Sequence, residues 1–108
     1  MTTDELVFNT LSDAGVPTAR MLWGPHPPEP PYAVYSEIPQ SMFTDNRVIV
    51  PVPKYRCTLY LDEYDEDVIE RFKLQVASLG TYVRHSDTTE DGLIVVTFDV
   101  NVTRRSDG

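Results

Sequence analysis

The sequence predicts an α+β domain, a mainly antiparallel sheet with two helices packed on one face. Three stretches predict it. In residues 55–62, Tyr55, Cys57, Leu59 and Leu61 alternate with Arg56, Thr58, Tyr60 and Asp62. This period of two marks a strand with one covered face. In the segment that follows, Val68, Ile69, Phe72, Val76 and Leu79 recur at three- and four-residue steps, which puts one apolar stripe on a helix. Near the end, Ile94, Val96, Phe98, Val100 and Val102 alternate with Val95, Thr97, Asp99, Asn101 and Thr103. A strand with an apolar face and a helix with an apolar stripe each need a partner, and each can serve as the other's.

Taken in order, Thr2, Thr3, Asp4 and Glu5 open the first helix. Thr2 with Glu5 matches a capping box, and the early acids suit the positive end of the helix dipole. Leu6, Val7, Leu11 and Ala14 form a short apolar face, and Gly15 is expected to stop the helix as its C′ residue, with Pro17 two positions later. Residues 16–23 read as a short extended segment around Met21, Leu22 and Trp23, ended by Gly24. Five prolines within residues 25–31 exclude helix and ladder and favour polyproline II, read as a stiff connector rather than a ligand for a proline-binding domain because a strand begins at Tyr32. Residues 32–38 have strand composition and stop at Pro39. Residues 40–47 read as a loop with an Asp45-Asn46 turn. Residues 48–53 are β-branched but carry Pro51 and Pro53, which blunt one side of a ladder and predict an edge segment or arm. After the second helix, closed by Gly80, residues 81–85 read as a strand and 86–92 as a turn. Asp91-Gly92 is the strongest hairpin signal in the chain. The expected organisation is a single domain over residues 1–103 and a polar tail over 104–108. The polar faces of the central and last strands should lie exposed.

The chain has 108 residues, a net charge of −8 and a pI near 4.5, with 41% hydrophobic and 24% charged residues. That is one folded domain's worth of chain with a single core. Its acidity repels nucleic-acid phosphates, which argues against gripping DNA or RNA but not against DNA passing by without sticking. Cys57 is the only cysteine, so no disulfide and no cysteine-based metal site can form within one chain, and a buried, inert thiol is expected. The start has no basic, apolar leader pattern, and no stretch approaches the roughly eighteen apolar residues of a membrane span.

Chemistry is sparse. His26 lies among prolines and His85 at a strand end, and no nucleophile motif accompanies either. The acids Asp62, Glu63, Asp65, Glu66 and Asp67 lack the glycine and terminal glutamate of an EF-hand loop. Asp65 as N-cap, with Glu66 and Asp67 in the positive first turn, explains them better. No glycine-rich loop cradles a phosphate, and Tyr60 and Tyr64 have no basic stripe beside them to support base stacking. Trp23 and His26 read as loop anchors. No catalytic, cofactor-binding or metal residue is expected.

The order of segments nevertheless carries a resemblance. A short helix ends at Gly15-Val16-Pro17, and Trp23-Gly24 follows. Next come Pro30-Pro31-Tyr32-Ala33-Val34-Tyr35, a Phe43-Thr44-Asp45-Asn46 turn, a Leu59-Tyr60 strand, a helix and a closing hairpin. Over roughly residues 4–103 this resembles the neck proteins of long-tailed phages and prophages, the tail terminator or tail-completion (head–tail joining) family. The resemblance implies a structural, non-enzymatic subunit of a ring, often a hexamer, that caps the tail tube and meets the head connector in the virion neck. DNA would pass through without specific binding, no membrane would be involved, and assembly would occur in the host cytoplasm. The residues expected at the interface are Tyr32, Tyr35, Phe43, Val48, Val50, Pro51 and Pro53. The proline load at 25–31 and 51–53 departs from the family pattern and puts ring size in question. A second reading, supported by net charge alone, is a monomeric acidic binding module or inhibitor that mimics nucleic acid.

Overall fold

The computed structural model describes residues 2–39, 43–44, 47–48 and 52–104. The elements run α1 (Thr3–Ser12), β1 (Thr18–Arg20), β2 (Tyr32–Glu37), β3 (Phe43–Thr44), β4 (Arg47–Val48), β5 (Lys54–Leu61), α2 (Glu66–Leu79), β6 (Gly80–Arg84), β7 (Thr88–Glu90) and β8 (Leu93–Val102). The main sheet has the order β1-β2-β5-β8-β6, with β7 also paired to β8. Every pairing in it is antiparallel except β1 with β2. Both helices contribute to a single core against one face, so the expected α+β architecture is the observed one.

Local chemistry starts each helix. The Glu5 N–H donates to Thr2 Oγ1 at 3.1 Å and the Thr2 N–H to Glu5 Oε1 at 3.4 Å, completing the capping box. Asp65 Oδ1 accepts from the N–H groups of Asp67 at 3.1 Å and Val68 at 3.3 Å, so the acid that tempts a metal reading is a helix cap. All five residues of the α2 stripe are buried, as are Tyr55, Cys57, Leu59 and Leu61 of β5. Phe72 of α2 meets Phe98 of β8 with ring centroids 5.9 Å apart. The chain passes from α2 straight into β6 at Gly80, where a Cβ would lie 2.0 Å from the Asn101 carbonyl oxygen. Only glycine fits that approach. Asp91 and Gly92, at φ 52° and 80°, form the two-residue turn between β7 and β8.

Some boundaries differ from expectation. Helix α1 ends at Ser12 with Asp13 as C-cap, so Gly15 lies one residue beyond the C′ position. Strand β1 comes before the apolar trio, because Pro17 and Thr18 align with β2 in parallel and Met21 turns the chain at φ 67°. Residues 86–92 are not all turn: a two-residue hairpin obliges its flanks to pair, and Thr88–Glu90 becomes β7. Residues 25–31 form bends with a cis Pro30–Pro31 peptide and lead directly into β2. Where the sequence predicts a loop over residues 40–47 and an arm over 48–53, Phe43↔Val48 and Thr44↔Arg47 pair as a separate two-stranded ribbon, and among the described residues no other element lies against it. Asp45 and Asn46 fall outside the described residues, as does the tail from 105 to 108.

Cys57 is fully buried at the centre of β5, opposite Phe98. Burial, and then the Asp99 carboxylate, push its thiol up to about 12. Native protein at pH 8 should therefore react with a thiol reagent slower than denatured protein by on the order of a hundredfold or more. Rapid labelling of the folded chain would place Cys57 on the other face of the sheet.

Candidate functional site

The register that buries one face of the sheet also fixes the other. Across β2, β5 and β8 it aligns Tyr32, Tyr60 and Val95 in one row, Val34, Thr58 and Thr97 in the next, and Ser36, Arg56 and Asp99 in a third. The helices leave this face open. Contrary to the expectation of an exposed polar face, Asp99 is only 7% exposed, because partners close over it. Arg56 donates from Nε to Asp99 Oδ1 at 2.9 Å and from Nη2 to Oδ2 at 3.1 Å. His85 Nε2 lies 2.7 Å from Oδ2. The fork from Arg56 is the largest influence on the Asp99 carboxyl and holds it below the ordinary range, against burial.

At the other end of the face the chain builds a cleft. The Met21 N–H donates to the Tyr35 carbonyl at 2.7 Å, and Trp23 Nε1–H donates to the Ala33 carbonyl at 3.3 Å. These two bonds pin the 21–23 loop along β2. Trp23 presents its edge to Tyr32 at 6.3 Å and 82°, and Tyr32 stacks on Tyr60 at 5.0 Å and 19°. The open cleft of about 190 Å³ is lined by these rings, Leu93 and the acids Glu90 and Asp91. Met21 and Leu22, 62% and 70% exposed, form its outer lip. Burial, followed by the Glu90 carboxylate, raises the Tyr60 hydroxyl above the ordinary tyrosine value.

The expected interface residues scatter. Tyr32 joins the cleft. Tyr35 points into the core against Phe8 and Tyr55. Phe43 and Val48 lie on the β3–β4 ribbon, and Val50 and Pro51 fall outside the described residues. Pro53 leads into the central strand, its carbonyl accepting from the Val102 N–H at 2.8 Å. Among the described residues no three His, Cys, Asp or Glu side chains are grouped to hold a metal, and no helix is long and apolar enough to cross a membrane.

Comparison with known proteins adds no assignment. No protein-family model matches the chain, and no curated protein aligns with it significantly.

Sequence reasoning missed Glu90, Met21 and Leu22 as site residues, because only long-range pairing of the strands brings them to the cleft that Tyr60 lines. The available signal was Met21-Leu22-Trp23, apolar residues beside a glycine with no periodicity to bury them.

The Asp99 cluster makes a pH-dependent contribution to stability. Its carboxyl is depressed in the fold, so the contribution is complete above the unfolded value of about 3.9 and is lost as pH falls through the lower folded value. Asp99→Asn should cost about 1–2 kcal/mol in urea unfolding at pH 7, discounting for the half-exposed Arg56. The gap from the parent protein should narrow below pH about 4.

Proposed function

We propose that this chain is a structural neck protein of a long-tailed phage or prophage, a tail terminator subunit that works in a ring by surface contact and not by turnover. The ring caps the tail tube and joins it to the head connector. The order of segments noted in the sequence suggests this role, and one structural observation carries it. The β3–β4 ribbon pairs only with itself, and among the described residues the backbone of no other element lies against it. A two-stranded ribbon is marginal by itself in water, so a partner surface is what such an arm is suited to. In a head-to-tail ring each subunit's arm meets a different surface of its neighbour, and the ring closes without a leftover edge. The acidic surplus suits a lumen or solvent face, where it would keep passing DNA from adhering.

The test is tail assembly in the encoding phage with this protein omitted. Tubes of uncontrolled length, or finished tails that fail to join heads, are expected. Tails of normal length that join heads normally would overturn the terminator role.

A further inference from the structure

We infer that the cleft on the open sheet face is a receptor for an arginine side chain presented by a partner protein. The inference rests on the open face being a contact surface, and not on the terminator role.

The lining has the composition that a guanidinium requires. Trp23, Tyr32 and Tyr60 supply aromatic surface, which attracts a cation electrostatically and on which a planar guanidinium stacks. Leu93 and the lip residue Leu22 suit the methylene stem of a long cationic side chain. Glu90 and Asp91 stand at the cleft, no lining residue is basic, and neither acid is in an ion pair among the described residues. The site is thus negative and lacks a counter-charge of its own.

Glu90 is placed there by a specific irregularity. Arg84 pairs with Phe98 and Thr88 with Val95, so four steps along one strand oppose three along the other. This one-residue bulge at 85–87 shifts the parity of the strand. Without it, Glu90 would project toward the helical layer; with it, Glu90 shares the face of Tyr60 and adds to the rise in that hydroxyl's pKa. The chain's charge of −8 then favours a cationic partner over a neutral one at long range.

Trp23 is the only tryptophan, so its fluorescence reports on the cleft. The probe is N-acetyl-arginine methylamide, titrated into the full chain at low salt. A saturable change that weakens with added salt is expected, together with little response to the neutral isostere N-acetyl-citrulline methylamide. Glu90→Gln, an exposed change that leaves β7 pairing intact, should weaken binding roughly threefold to fivefold with an unchanged circular dichroism spectrum. An equal response to the citrulline probe, an unchanged affinity in Glu90→Gln, or no saturable response would overturn the proposal. Tighter binding of tetramethylammonium than of the arginine probe would also overturn it, in favour of a small quaternary cation. Normal tail assembly without this protein would leave a positive binding result standing.

Discussion

One face of the β5–β8 ladder must be dry, and that constraint sets the register of the whole sheet. Cys57 faces Phe98, Leu59 faces Val96 and Tyr55 faces Val100, all buried beneath the helices. A one-residue slip of β5 would drive Arg56 and Thr58 into that layer, and a slip of β8 would drive Asp99 there; either exposes that strand's apolar set. Burying a charged side chain without partners costs several kcal/mol, a large share of the roughly 5–15 kcal/mol that holds a domain together. Strand β2 inherits its alignment from β5, and β1, β6 and β7 inherit theirs from β2 and β8.

The same constraint builds the open face. Once Cys57 is opposite Phe98, Arg56 must be opposite Asp99, and Tyr60 must be opposite Val95 and beside Tyr32. The polar cluster and the aromatic cleft are therefore consequences of core packing. The bulge is the exception that edits this pattern. Before it, even-numbered residues face the helical layer: Tyr82 packs on Phe98, and the Arg84 guanidinium sits 5.8 Å from the same ring. After it, Thr88 and Glu90 share the open face. Arg84 also bonds Asp87 at 2.9 Å across the bulge, tying its two ends together. A single extra residue thus moves a carboxylate from one layer of the domain to the other.

The parts legible in the sequence are those whose cause is local. The alternation of β5 and β8, the α2 stripe, both N-caps and the Asp91-Gly92 turn are all written within a few residues of where they act. What was not legible depends on partners far along the chain. Strand β1 has three residues and exists because β2 offers a parallel edge. Asp99 reads as a solvent-facing position, and only the fold brings Arg56 and His85 over it. The bulge leaves no mark in composition, since Ser86 and Asp87 suit a turn equally well. Met21 and Leu22 look like strand residues because they are apolar, whereas they stand largely exposed at the lip of a cleft.

Charge connects these features. The chain has nine lysines and arginines against seventeen acids, and Arg20, Arg56, Lys73 and Arg84 each sit beside a carboxylate of their own. Asp4 shows how such a pair is used structurally. It accepts from Arg20 Nε at 2.9 Å and from the Tyr55 hydroxyl, joining the first turn of α1 to β1 and the central strand. Burial and that bond raise the Tyr55 hydroxyl well above its ordinary value, so it remains a donor throughout the neutral range. With several bases engaged internally, the acidic excess projects a field over the surface that no local pair cancels. Such a field speeds encounter with basic partners and slows encounter with phosphates, and it does so without any conformational change. A field of this kind sets no contact geometry; on the open sheet face that geometry is an aromatic cleft at one end and a hydrogen-bonded Arg56–Asp99–His85 cluster at the other.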